Sequence, residues 1–86
     1  MYKIELTKVA EKEINKLFQK NKRLYKRVDA ALDAIAKNPD DGKPLKHILK
    51  GNYSYWVGEY RIIYQVRRKQ LVVIIIDAGH RREIYR

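Results

Sequence analysis

Apolar and charged residues alternate at the start of the chain. In "YKIEL", Tyr2, Ile4 and Leu6 fall on one side and the charges on the other, which is the period of a half-buried strand. From Lys8 the period lengthens. Val9, Ala10, Ile14, Leu17 and Phe18 make one helical stripe to about Lys20, and beyond the break at Asn21 the residues Leu24, Val28, Ala31, Leu32 and Ile35 make another. Thr7 is placed to cap the first, and the short break predicts two antiparallel helices. "NPDDGKP", Asn38 to Pro44, stops the second helix, because the residue before a proline avoids helical geometry and Asp-Gly favours a turn. A loop carrying "LKHILKG" follows, then three strand-like segments, "NYSYWV", "YRIIYQV" and "LVVIII". The order β-α-α-β-β-β predicts one α+β domain over residues 1–86, its two N-terminal helices packed on one face of a small, mostly antiparallel sheet.

Strand register then places the polar residues. Gly58-Glu59 between Val57 and Tyr60 has glycine first, the signature of a two-residue type II′ hairpin. That turn pairs Val57 with Tyr60, Trp56 with Arg61, Tyr55 with Ile62 and Tyr53 with Tyr64. Side chains alternate, so Tyr53, Tyr55, Val57, Tyr60, Ile62, Tyr64 and Val66 share the face expected to meet the helices. Ser54, Trp56, Arg61, Ile63 and Gln65 share the other. A tight turn at Arg68-Lys69 would pair Val66 with Leu71 and set Ile76 opposite Arg61, with Val72, Ile74 and Ile76 on the arginine's face. Carried onward, this parity sends Ala78 and His80 toward Arg61 unless Gly79 bends the chain. Since "LVVIII" is apolar on both sides, that outer face needs a cover or a partner.

Charge narrows the choice of partner. Twenty basic residues against ten acidic ones leave a net charge of +10, which favours polyphosphates, acidic proteins or anionic membranes. The chain has no cysteine, which removes disulfides, thiolate chemistry and the usual zinc sites and fits a reducing cytoplasm. No stretch reaches the ~20 apolar residues of a membrane span, and the N-terminus lacks a signal-peptide apolar region. The expectation is a cytoplasmic protein.

The gathered residues suit single-stranded nucleic acid. Arginine presents planar donor pairs to phosphate oxygens, and a tryptophan or tyrosine face accepts an unpaired base. A structural cation–π pair is the alternative account of Trp56 and Arg61. Cutting RNA without a metal requires a base for the 2′-hydroxyl, cations for the phosphorane and an acid for the departing 5′-oxygen. Arginine supplies only the cations, being protonated at any physiological pH. Tyr85, starting near pKa ~10, would cost roughly 4 kcal/mol to hold as phenolate at neutral pH, unless Arg81, Arg82 and Arg86 lower that value. His80, starting near ~6.5, is the cheaper base, and Tyr85 the better stacking platform. His47 lies in the basic loop with Lys46 and Lys50 and is either catalytic or an ordinary loop histidine. Asp77 sits at a strand end, and Glu83 falls among arginines that would pair with it. There is no Gly-rich phosphate loop, no nucleophile elbow and no metal-ligand spacing.

"VGEYRIIYQV" followed by "VVIIIDAGHRREIYR" resembles the RelE/ParE toxin superfamily, with its G-[DE]-Y-R-[VI]-[IV]-Y strand and late G-[HK]-R-x-x-[EDV]-[VI]-Y ending. "PLKHILKG", Pro44 to Gly51, is similar to the loop of the YoeB branch. The resemblance spans essentially the whole chain. It implies the RelE-like microbial RNase fold and a toxin that, in the RelE branch, enters the ribosomal A site and cleaves mRNA to leave a 2′,3′-cyclic phosphate. It also implies an acidic antitoxin that represses the shared promoter together with the toxin, so that operator DNA is met only through that complex.

Carried over by position, the resemblance makes Arg61 the scissile-phosphate contact and Arg81 and Tyr85 the late-motif arginine and tyrosine. His80 occupies a position that is basic in relatives, and Lys46 and His47 match basic loop residues. Lys50, Trp56, Arg82 and Arg86 complete the expected RNA contacts; no cofactor or metal is implied. The sequence departs from the pattern where the RelE branch has two strand cations, here Ser54 and Trp56, and where the YoeB branch has a loop carboxylate, here Lys43. The base role then passes to His80, His47 or Tyr85, or the RNase activity is weak or absent. Three functions follow from the resemblance: a ribosome-dependent mRNA endonuclease, a ParE-like inhibitor of DNA gyrase that acts by binding, or a non-toxic antitoxin partner and co-repressor.

Overall fold

The computed structural model describes residues 1–46 and 50–81. Strand β1 (Lys3–Leu6) leads into helices α1 (Lys8–Lys20) and α2 (Lys22–Lys37) and a 3-10 turn at Pro39–Asp41. Strands β2 (Lys43–Pro44), β3 (Asn52–Val57), β4 (Tyr60–Arg67) and β5 (Val72–His80) follow. They form one sheet in the order β1-β5-β4-β3-β2, with β1 parallel to β5 and the other neighbours antiparallel. The α+β architecture expected from the hydrophobic pattern is present; the two-residue edge strand β2 is an addition to it. No helix among the described residues is long and apolar enough to cross a membrane.

Polar side chains set the helix limits. Thr7 Oγ1 accepts the Ala10 N–H at 3.2 Å, satisfying one of the donors left open at the start of α1. Asn21 alone separates the helices. Its N–H donates to the Leu17 carbonyl to close α1, and its side chain accepts the Leu24 N–H at 3.1 Å to open α2. Ala10, Ile14 and Leu17 of α1 and Val28, Ala31 and Ile35 of α2 pack on Val57, Tyr60, Ile62, Tyr64, Val73, Ile75 and Ala78 of the sheet. Two residues of the first expected stripe stay out of this core: Val9 is 58% and Phe18 48% exposed. Phe18 lies edge-on to Tyr25 with the Lys22 ammonium 5.7 Å above its ring, a surface cluster around the helix junction.

The β3–β4 hairpin has the register expected, from Val57 opposite Tyr60 to Tyr53 opposite Tyr64. Gly58 has φ of +62°, and Leu71 is the only described non-glycine residue at positive φ. Glu59 is therefore on the negative side, which is the type II′ combination.

The second hairpin differs. Its loop is Arg68 to Leu71 with Leu71 at φ +56°, so Val66 pairs with Val73 and not with Leu71. Further along, Tyr64 pairs with Ile75 but Ile63 with Asp77, leaving Ile76 as a β-bulge. The bulge reverses the parity of everything beyond it. Ala78 joins the core opposite Ile62, and Gly79, not Ile76, stands opposite Arg61. His80 stands opposite Tyr60, on the helix side of the sheet, so the expectation that it faces Arg61 is corrected. Thr7 secures the bulge: its hydroxyl donates to the Ile76 carbonyl at 2.8 Å while its N–H donates to the Ile75 carbonyl.

Candidate functional site

The sheet surface turned away from the helices is assembled by register. Trp56 and Arg61 are directly opposed across β3 and β4, and Ser54 is opposed to Ile63. Lys43 of β2 pairs with Ser54 and so shares this side, as do Gln65 and Arg67 farther along β4. From β5 come Val72 and Ile74 before the bulge and Asp77 and Gly79 after it. The side expected for Arg61 and Trp56 is the side they occupy.

Its centre is withdrawn from water. Ser54, Arg61 and Ile63 are buried, Arg61 being 5% exposed, while Val72 and Ile74 of the apolar β5 run are half-buried. A guanidinium so placed acts through a medium of lower effective dielectric than bulk water, so an anion set against it gains more than at an open surface. The Trp56 ring centroid lies 5.6 Å from Arg61 Cζ, and Trp56 is 38% exposed. Of the two readings left open by the sequence, the structural cation–π pair is present.

Arg81 closes this end of the sheet. Its N–H donates to the Glu59 carbonyl at 2.8 Å, continuing the ladder one residue past β5. In sequence it lies two residues beyond Gly79, the ladder partner of Arg61, where the chain has left strand geometry. Arg81 is exposed. Lys46 and Lys50 are exposed in the segment between β2 and β3. His47, Arg82, Tyr85 and Arg86, expected in the site, lie outside the described residues, as does Glu83.

His80 belongs to different surroundings. Its ring meets Tyr60 edge-on at 5.4 Å and, with Lys16 and Lys20, it lines a cleft of about 370 Å³ at the end of α1. Asp77 accepts the Ala78 N–H at 2.8 Å, tying down the backbone just past the bulge. Two cations of the outer face, Lys43 and Arg67, escaped the sequence reading. Arg67 was visible in the same alternation that placed Arg61, whereas Lys43 depends on a strand too short to show alternation.

Behind the site, the opposite face is braced by Tyr64. This side chain is fully buried, donates its hydroxyl proton to the Pro39 carbonyl at 2.6 Å and stacks on Tyr53 at 5.5 Å. Burial pushes its phenol up to about 12. Gly42 is required by close approach: a Cβ there would lie 2.0 Å from the Tyr64 hydroxyl oxygen. At the surface, Arg68 bridges Asp40 at 2.6 Å and the Tyr53 hydroxyl at 3.2 Å, linking the second hairpin to the 3-10 turn. The Asp40 hydrogen bond holds the Arg68 guanidinium above its usual range.

Comparison with known proteins agrees with this architecture. The family described as the ParE toxin of the type II toxin–antitoxin system parDE matches residues 4–85. Toxin RelG of Mycobacterium tuberculosis is 31% identical over 86 residues, covering 99% of this chain and 97% of that protein. Toxin YoeB of Synechocystis is 38% identical over 63 residues, covering 66% of this chain and 73% of the other. Among solved structures, the toxin–antitoxin complex RelBE2 from Mycobacterium tuberculosis aligns with a TM-score of 0.80 at 29% identity, over 93% of this chain and 98% of the matched one. The YoeB/ParE toxin from Agrobacterium tumefaciens shares the fold, with a TM-score of 0.82 at 17% identity over 91% of this chain and 96% of its own. A family match spanning nearly every residue, with a full-length relative and the same sheet and helix arrangement, makes this chain a member of the ParE toxin family of type II toxin–antitoxin systems, within the RelE/ParE superfamily.

Proposed function

We propose that this toxin is a metal-independent endoribonuclease that cuts mRNA on the ribosome and leaves 2′,3′-cyclic phosphate ends. The observation that carries the reading is the withdrawn Arg61 guanidinium beside an exposed tryptophan face, on the sheet side away from α1 and α2. In the reaction the 2′-oxygen attacks phosphorus, its proton passes to a base, and the bond to the 5′-oxygen breaks as that oxygen takes a proton. Arg61 supplies fixed donors to the phosphorane oxygens, where preorganised charge contributes most. Arg81, two residues past Arg61's ladder partner Gly79, is a second cation for the same group or its neighbour. Tyr85 or His47 takes the proton-transfer role, since His80 lies across the sheet. Lys46, Lys50, Arg82 and Arg86 hold flanking phosphates.

The partner proposed is an acidic antitoxin. A net charge of +10 suits such a chain, and the similar RelBE2 structure is a toxin–antitoxin complex. Through that complex the pair would meet operator DNA. The site of action is the cytoplasm, where mRNA is translated.

The test is expression of the toxin alone and with Arg61→Ala or Arg81→Ala, following growth, mRNA integrity and antitoxin binding. Growth arrest with cut mRNA, relieved by either substitution in a folded, antitoxin-binding protein, is the expected result. Full toxicity with both arginines replaced overturns it. The name of the matching family favours one rival, gyrase inhibition without chemistry, which would show as DNA-damage induction with intact mRNA. Absence of any arrest would leave only the antitoxin-binding co-repressor.

A further inference from the structure

We propose that a furrow on the helix side of the sheet holds the phosphate backbone of single-stranded RNA and leads it around the end of the sheet to the Arg61 face, with Lys20, Arg23 and Arg27 as its contacts. The inference rests on the outer face being an RNA site and adds the route along which flanking nucleotides lie. Three clefts combine. The cleft beside His80 has Asn21, Tyr60 and His80 in common with a second, of about 600 Å³, between the start of α2 and the β3–β4 turn. That one has Arg27, Val57 and Gly58 in common with a third, of about 360 Å³, which Trp56 also lines. Shared walls make the three one furrow, and its last wall, Trp56, is the ladder partner of Arg61. The furrow reaches the sheet edge because β3 outruns its neighbour: β2 pairs only with Tyr53 and Ser54, so among the described residues no strand lies beside residues 55–57 on that side.

Charge selects the occupant. Lys20, Arg23 and Arg27 are exposed, and the Arg27 guanidinium stands over the hairpin turn, 3.8 Å from where a Cβ on Gly58 would be. Two carboxylates line the furrow, Glu13 and Glu59. Glu13 is paired with Lys16 at 3.3 Å, while among the described residues no carboxylate comes within ion-pair distance of Lys20, Arg23 or Arg27. The apolar lining already belongs to the core. Leu17 is 6%, Val57 8% and Tyr60 3% exposed, so an amphipathic peptide would gain little by covering them. A polyphosphate needs no such gain, because counterion release drives its binding and a groove of cations tracks it. His80, turned away from Arg61 by the bulge, lines the first two stretches of this route.

The test uses the full-length protein and 2′-O-methyl oligouridylates of roughly 3 and roughly 12 nucleotides, bracketing the length that one small domain tracks. Their blocked 2′-oxygens prevent cutting, so binding is read whether or not the protein is a nuclease. The longer strand is expected to bind the wild type more tightly and with the steeper salt dependence. Arg23→Gln/Arg27→Gln should reduce that length advantage about tenfold, the scale of two exposed charge contacts, and flatten the longer strand's log–log salt slope by about 1.4. Arg23→Lys/Arg27→Lys should recover most of the loss, since a backbone contact depends on charge. Lys37→Gln/Lys69→Gln, equal in charge change and set at the opposite ends of α2 and of the β4–β5 hairpin, should leave the advantage as it is in the wild type.

A wild type that binds both lengths alike overturns the proposal, as does an equal loss for both lengths in the glutamine variant. A loss seen only on ribosomes lacking mRNA would assign the furrow to ribosomal RNA, and a loss seen only in antitoxin affinity would assign it to an acidic peptide; either result overturns the route to Arg61. Cleavage is scored separately. A protein that leaves mRNA intact yet keeps the length advantage refutes the endonuclease reading alone, and one that cuts mRNA without the advantage refutes the furrow alone.

Discussion

Replacing Thr7 with valine should destabilise the protein far more than an exchange of similar shapes at a partly exposed position would suggest. Two hydrogen bonds depart together. The Ala10 N–H loses its cap acceptor at 3.2 Å, worth about 1 kcal/mol. The bulged Ile76 carbonyl loses the hydroxyl that donates to it at 2.8 Å, costing about 1–2 kcal/mol in a part-buried setting. The total of about 2–3 kcal/mol is a large share of the roughly 4–13 kcal/mol expected for a domain of this length. Urea unfolding followed by circular dichroism measures it: with a slope of about 1 kcal/mol per molar, the midpoint falls by roughly 2–3 M. Thr7→Ser retains both bonds and should stay within about 0.5 kcal/mol of the wild type, since its hydroxyl has the same donor and acceptor capacity. A valine variant as stable as the wild type, or a serine variant as weak as valine, would refute the coupling of helix cap and bulge.

Three other outcomes are expected. Gly42→Ala should cost about 2–4 kcal/mol in the same urea assay, because its Cβ would meet the Tyr64 hydroxyl oxygen at 2.0 Å and Cζ at 2.8 Å; Tyr64→Phe in the same chain should recover part of the loss. Tyr64 stays protonated in the fold up to about 12 against an ordinary 10.0, so its contribution is complete below pH 10 and is lost as pH climbs through 12. That amounts to about 3 kcal/mol, and Tyr64→Phe should show a correspondingly flatter alkaline limb of stability; an identical limb would contradict it. Shortening the Ile74–Ile76 triplet by one residue should leave a folded protein with the Tyr60–His80 contact intact by NMR, because the bulge contains one residue more than the ladder needs. Loss of folding there would argue against the bulge.

What the sequence disclosed, and what it concealed, follow from where its patterns are one-sided. Thr7, Asn21 and the Gly58-Glu59 turn are local signals with local causes, and each acts as its chemistry predicts. The first hairpin inherits its register from that turn, which is why Trp56 and Arg61 were legible as partners. "LVVIII" is apolar on both sides, so nothing in its alternation marks the residue at which parity reverses; the Ile76 bulge was invisible and His80 was assigned to the wrong side. Leu71 compounded this, since leucine at positive φ leaves no trace of the longer loop. The burial of Arg61 was hidden for another reason: strand alternation assigns a side chain to a face and says nothing of how far that face is withdrawn from water.

The central claim is that Arg61 on the outer sheet face stabilises a phosphorane in ribosome-bound mRNA, and the direct measurement is a cleavage map on programmed ribosomes. Purified wild-type protein should produce discrete cuts in the codon held in the A site, with 2′,3′-cyclic phosphate ends, and Arg61→Ala should cut about 100-fold more slowly, the scale of one preorganised donor removed from a developing anion. Intact mRNA with the wild type, or cutting undiminished in Arg61→Ala, would contradict the account.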